Sequence, residues 1–191
     1  MNMARERAAQ RGQSIVEFTL VLPVMLILLL GIMDVARIYT TMMSVESAAR
    51  EAADYGTTLG AGKWQTGGPM DATVAEMERR ACVASSDLPD YADPDSDPTN
   101  GGCTNPSFSY CMRTSAASPC GAVDPTAACE DPLREPPCIV TVTLGYDFHL
   151  LAPLNFEFMG VRYGFPSTLS FDRDSSFAIT DIDLSPTAPG P

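Results

Sequence analysis

The chain has 191 residues, with 24 acids against 12 lysines and arginines and a formal net charge of −12. This length holds one ordinary domain plus appendages. The acidic excess argues against recognition of a phosphate backbone, so no nucleic-acid partner is expected.

Residues 1–12, MNMARERAAQRG, form a polar leader with Arg5, Arg7 and Arg11 against Glu6. The run from Ile15 to Met33 is 19 residues interrupted only by Glu17. That is close to the ~20 residues a membrane-crossing helix needs. The positive leader predicts a cytoplasmic N-terminus and a C-terminal bulk on the far side. Gly31 is followed by Ile-Met-Asp rather than by the small residues of a signal-peptidase site, so the span, about 15–33, is expected to stay attached. Glu17 is costly there, by about 2.5–3.5 kcal/mol at a helix centre and less near an end. A carboxylate kept in such a place points to function.

The helical pattern continues past the apolar run. Val35, Ile38, Met42, Val45, Ala49 and Ala52 recur at steps of three and four, while Glu46, Arg50, Glu51 and Asp54 fall elsewhere. Gly56 supplies a stop signal. One helix over 13–56 is expected, with Pro23 removing one internal hydrogen bond. Residues 60–69 read as a loop, with Trp64 packing over the helix. Val74, Met77, Ala81 and Ala84 mark a second, shorter helix over 70–84.

From 85 to 137 no apolar periodicity is evident, and a long loop held by cysteines is expected. Cys82, Cys103, Cys111, Cys120, Cys129 and Cys138 include no CxxC pair, which argues against a zinc ribbon or a thioredoxin-like site. Downstream of a membrane segment they read as disulfides formed in an oxidising compartment. The 15 possible pairings stay open. Asp93, Asp95 and Asp97 have the odd spacing of a calcium loop, but Pro98 and Thr104 stand where glycine and glutamate belong. A solvated, turn-rich loop is the preferred reading and extracellular calcium the alternative. No other cofactor is indicated.

Residues 138–148 alternate β-branched residues and predict a strand. Residues 154–165, 167–171 and 175–182 predict two or three more, with Asp172-Arg173-Asp174 as a tight hairpin turn. His149, the single histidine, has no nucleophile or acid placed beside it by the sequence, so catalysis is not expected. Residues 57–184 form the exterior domain and 185–191 read as a disordered tail. The fold class is α+β: a long N-terminal transmembrane helix, a small disulfide-tied domain and a C-terminal antiparallel sheet.

That layout is pilin-like, and at 11–56 the likeness becomes specific. "RGQSIVEFTLVLPVMLILLLGIMDVARIYTTMMSVESAAREAADYG" resembles the N-terminal segment of the TadE-like family, minor pseudopilins of the tight-adherence (Flp) branch of type IV pilus machines. The resemblance is carried by Gly12, by "VEF" at Val16–Phe18, by "LVLPVMLILLLGI" and by "AAREAADYG". Asp34 fills the family's acidic place after the apolar run. The resemblance implies cleavage by a prepilin peptidase between Gly12 and Gln13, which makes Glu17 the fifth mature residue with Phe18 beside it. It further implies that Glu17 pairs with the new α-amino group of an adjacent subunit. The implied partners are the membrane, the peptidase, other pilins or pseudopilins and the inner-membrane assembly platform. The implied location is the inner membrane, single-pass, with the C-terminal domain periplasmic, and later the pilus or cell surface. On this reading the protein is structural and not an enzyme. The alternative is a signal-anchored periplasmic binding or adhesive protein, with calcium as its candidate ion, that never polymerises. A mere anchor has no need of the fixed spacing from Gly12 to Glu17.

Overall fold

The computed structural model describes residues 3–58, 64, 70–115, 120, 129, 137–151, 155–158, 160–164 and 166–179. They form an α+β arrangement: helices α1 (Met3–Thr58) and α2 (Met70–Ser85), then strands β1 (Ser107–Arg113), β2 (Ile139–His149), β3 (Asn155–Phe158), β4 (Val161–Gly164) and β5 (Thr168–Ala178). The chain divides into two compact units, Met1–Thr40 with His149–Ser167, and Thr41–Phe148 with Thr168–Pro191.

In the first unit α1 is helical from Met3, so no break marks the expected leader boundary at Gly12. Pro23 lies inside the helix. From Ile15 to Met33 every large apolar side chain is at least 40% exposed. Burial begins at Asp34, which is 6% exposed. Its Oδ1 accepts a hydrogen bond from the Leu151 amide at 3.1 Å and lies 3.7 Å from Arg37 Nη1. The Leu150 amide donates to the Ser167 carbonyl at 3.0 Å, so the two ends of the segment between them meet. Inside that segment β3 and β4 pair antiparallel, Phe156 opposite Tyr163 and Phe158 opposite Val161. Gly160, in the connecting turn, has φ 77°, a left-handed conformation that glycine enters without strain.

The second unit is built on small residues. Val45, Ala48, Ala49, Ala52 and Ala53 of α1 are fully buried. Side chains this short let another element approach closely. A Cβ placed on Gly56 would stand 2.7 Å from Met77 Sδ on α2 and 3.3 Å from the Trp64 ring. Arg80 of α2 stacks over Tyr55, 4.4 Å from the ring centroid. Val35, expected in the packed stripe, is 66% exposed; the buried stripe starts at Thr41 and continues through Val45 and the alanines.

The sheet has the order β1-β2-β5 and is antiparallel. Central β2 turns Val140, Val142, Leu144, Tyr146 and Phe148 inward, none more than 1% exposed. Its register pairs Tyr110 with Val142 and Met112 with Val140. Strand β1 corrects the expectation of structureless chain from 85 to 137. Phe108, Tyr110 and Met112 alternate along it, flanked by serines that mask the pattern.

The second correction falls on Asp172-Arg173-Asp174. These residues make no turn but lie in mid-strand, because β5 runs unbroken through them. Asp172 and Asp174 are exposed while Arg173 reaches Met42 Sδ at 3.2 Å. The alternation of the strand thus absorbs a charge cluster that, read locally, signals a bend. The tail, 185–191, and the expected loop 60–69 apart from Trp64 lie outside the described residues.

Candidate functional site

The longest stretch of unpacked apolar surface on the described residues is the helix from Ile15 to Met33. It is the one described helix long and apolar enough to cross a membrane, with a mean hydropathy of 2.6 over its most apolar window. An α-helix satisfies its own backbone groups, and Thr19 helps by returning its hydroxyl to the Ile15 carbonyl at 2.8 Å, so the segment can enter hydrocarbon. Glu17 sits in its first turns, exposed, with Ile15 at 67% and Phe18 at 65% exposure nearby. Gly12 and Gln13 lie one to two turns before it on the same helix. The structure therefore places all four sequence-predicted residues on one end of the same helix.

Asp34 closes this stretch at its far end. Sequence reading marked it only as the acid after the apolar run. Its structural work is to receive the Leu151 amide, and no local sequence signal links two residues that far apart in the chain.

The cysteines resolve into three neighbouring pairs: Cys82–Cys103, Cys111–Cys120 and Cys129–Cys138. The first fastens α2 to the chain entering β1, and the third fastens the start of β2. Cys120 is exposed, whereas Cys82, Cys103, Cys129 and Cys138 are buried.

Asp93, Asp95 and Asp97 are not gathered into a ligand set: among the described residues no group of three or more His, Cys, Asp or Glu side chains is arranged to hold a metal. Asp93 instead accepts from the Asp95 amide at 2.9 Å and from the Tyr91 hydroxyl at 3.1 Å. Burial, with Asp93 adding to it, pushes the Tyr91 phenol up to about 12. Asp97 accepts from the Thr99 hydroxyl at 2.5 Å and the Thr99 amide at 3.0 Å, bonds that hold its carboxyl below the usual range. Such side-chain-to-backbone bonds build turns. Ser86, Tyr91, Asp93, Pro94 and Thr104 border an open depression of about 540 Å³ beside them. His149 ends β2, exposed. Trp64 is fully buried and donates its indole N–H to the Gly56 carbonyl at 2.8 Å, so it does pack over α1.

No curated protein and no solved structure matches the chain. A family model does: residues 12–54, the stretch from Gly12 through Glu17 and Asp34 to the alanine-packed end of α1, match the TadE-like protein family that the sequence resembles.

Proposed function

We propose that the protein is a minor pseudopilin, a structural component in the assembly of a tight-adherence pilus, held in the inner membrane by α1 and cut after Gly12. The observation that carries this reading is Glu17. It is an exposed carboxylate in the first turns of an exposed apolar helix, inside the segment that matches the TadE-like model. Cleavage between Gly12 and Gln13 leaves a new α-ammonium one helical turn from the depth of Glu17. A carboxylate that is costly alone in lipid becomes favourable when it meets a cation there. Pairing between the Gln13 amine of one subunit and Glu17 of the next draws helices into register. The same pair gives no advantage to a lone anchor.

The test is made in the native envelope. The mature N-terminus is expected at Gln13 by mass analysis, and Gly12→Leu should retain Met1, because a side chain at that position obstructs close backbone approach in the peptidase. Glu17→Ala should insert and be cut normally, since removing a charge eases insertion, yet fail to enter pili or copurify with other pilins. Glu17→Gln should be intermediate, keeping a hydrogen bond without charge assistance. Retention of Met1 by the wild-type chain would sink the pseudopilin reading. Normal assembly of Glu17→Ala would sink the pairing alone.

A further inference from the structure

The segment from Leu150 to Ser167 is a closed excursion with an unusual composition. Its ends are pinned by the Leu150 amide on the Ser167 carbonyl, and Leu151 fastens it to α1 at Asp34. Asp34 is the first residue after the apolar run. In a membrane-spanning α1 it marks the level at which the helix leaves the hydrocarbon. Asn155, where the hairpin begins, is four residues beyond Leu151 and so lies within about 14 Å of that level.

The hairpin register sorts its residues by face. Phe156 and Phe158 alternate with Glu157 on β3, and their partners Tyr163 and Val161 alternate with Arg162 on β4. One face therefore carries Phe156, Phe158, Val161 and Tyr163, and the other carries Glu157 opposite Arg162. Those two are the segment's charged residues and they cancel, in a chain whose net charge is −12. The large side chains of α1 from Ile15 to Met33 all stay at least 40% exposed. Leu151, at the tether, is itself 59% exposed.

We propose that this loop is a second, interfacial membrane contact: the β3–β4 hairpin lies on the outer leaflet beside the exit of α1, with Leu151 and the Phe156/Phe158/Val161/Tyr163 face in the boundary between headgroups and acyl chains. The inference rests on the membrane-anchoring reading of α1. Aromatic residues concentrate at that depth, and interfacial elements settle about 5–10 Å into it. The occupant is lipid rather than a charged protein surface, because the segment is electrically neutral and sits where bilayer is already present. Its role is to fix how α1 stands in the membrane before any assembly.

The full chain, reconstituted into vesicles of phosphatidylethanolamine and phosphatidylglycerol, tests this with lipid brominated near the headgroup. Trp64 is fully buried and supplies a constant background. In Phe158→Trp the added emission should shift to the blue and fall about twofold with shallow brominated lipid, as an indole at interfacial depth would. Glu157→Trp, on the opposite face, should be quenched by aqueous iodide instead. Equal lipid quenching of the two variants would overturn the assignment of faces and the proposal. Quenching of Phe158→Trp by iodide alone would place that face in water, and protection from both quenchers would mean that protein covers it; either result overturns the proposal. Leu26→Trp is the control for anchoring. If it is quenched by deeply brominated lipid while Phe158→Trp is untouched by either brominated lipid, the hairpin inference alone fails. If Leu26→Trp is not quenched, the membrane reading fails and takes the inference with it.

Discussion

Trp64 closes the end of α1 in a way that can be measured. The last four carbonyls of a helix lack partners within it, and Gly56 lies in the final turn of a helix ending at Thr58. The Trp64 indole N–H supplies the missing donor at 2.8 Å, and both residues are buried. Trp64→Phe keeps an aromatic ring but removes the donor. A buried carbonyl left unsatisfied costs about 1–3 kcal/mol, and the smaller ring adds about 1 kcal/mol of lost packing. The total is about 2–4 kcal/mol. With a urea slope of about 1.5 kcal/mol/M for a domain of this size, the midpoint should fall by about 1–3 M. Urea unfolding of the disulfide-intact full chain in detergent, followed by near-ultraviolet circular dichroism, reads this directly. Far-ultraviolet signal is dominated by α1 and is the poorer probe. A midpoint within about 0.3 M of wild type would mean that water satisfies Gly56 and that the indole adds nothing beyond area.

Glu76 and the disulfides give two further expectations. Hydrogen bonds from Arg79, outweighing the burial that opposes them, and from Arg80 hold the Glu76 carboxyl down from 4.5 to about 2. A depressed carboxyl stabilises the fold above its unfolded value and loses that contribution as pH falls through the folded one. Glu76→Gln should therefore be less stable than wild type at neutral pH, with the gap shrinking from pH 4.5 towards 2 in thermal melts; a gap independent of pH would refute the ion-pair account. Among the disulfides, Cys111–Cys120 should be reduced first by a dilute thiol in the native state, since Cys120 is exposed and the other two bonds are buried. Mass analysis after alkylation checks the order, and early loss of Cys82–Cys103 would contradict it. Replacing Cys82 and Cys103 together by serine should cost about 3 kcal/mol for a loop of 21 residues.

Features read from the sequence succeeded where one local period dominates. The apolar run, the second helix from Met70 and the strand after Cys138 each repeat a signal over several turns or alternations. Reading failed where the decisive partner is distant. Strand β1 is held by its pairing with β2, roughly 30 residues on, while its own serines resemble a loop. Asp172-Arg173-Asp174 looks like a turn until Arg173 finds Met42 across the fold. Val35 fits the helical stripe numerically but precedes the point where α1 gains a covering layer. Of the candidate site, the segment holding Gly12, Gln13, Glu17 and Phe18 was legible as a family resemblance because its spacing is local, and the roles given to those residues rest on the proposal above. The tether from Asp34 to Leu151 was not, because it joins two ends of the chain.

The three disulfides also bear on export. Taken in chain order the six cysteines bond first to second, third to fourth and fifth to sixth, at separations of 21, 9 and 9 residues. On the outward translocation proposed above, the thiols emerge in that same order. An oxidase that joins each new thiol to the one already waiting makes the correct bond every time. Only one of the 15 pairings has this property of being written in order of arrival. On that proposed route the domain would be covalently closed before its C-terminal strand leaves the cell, with no need of the slow reshuffling that burdens interleaved cysteine patterns.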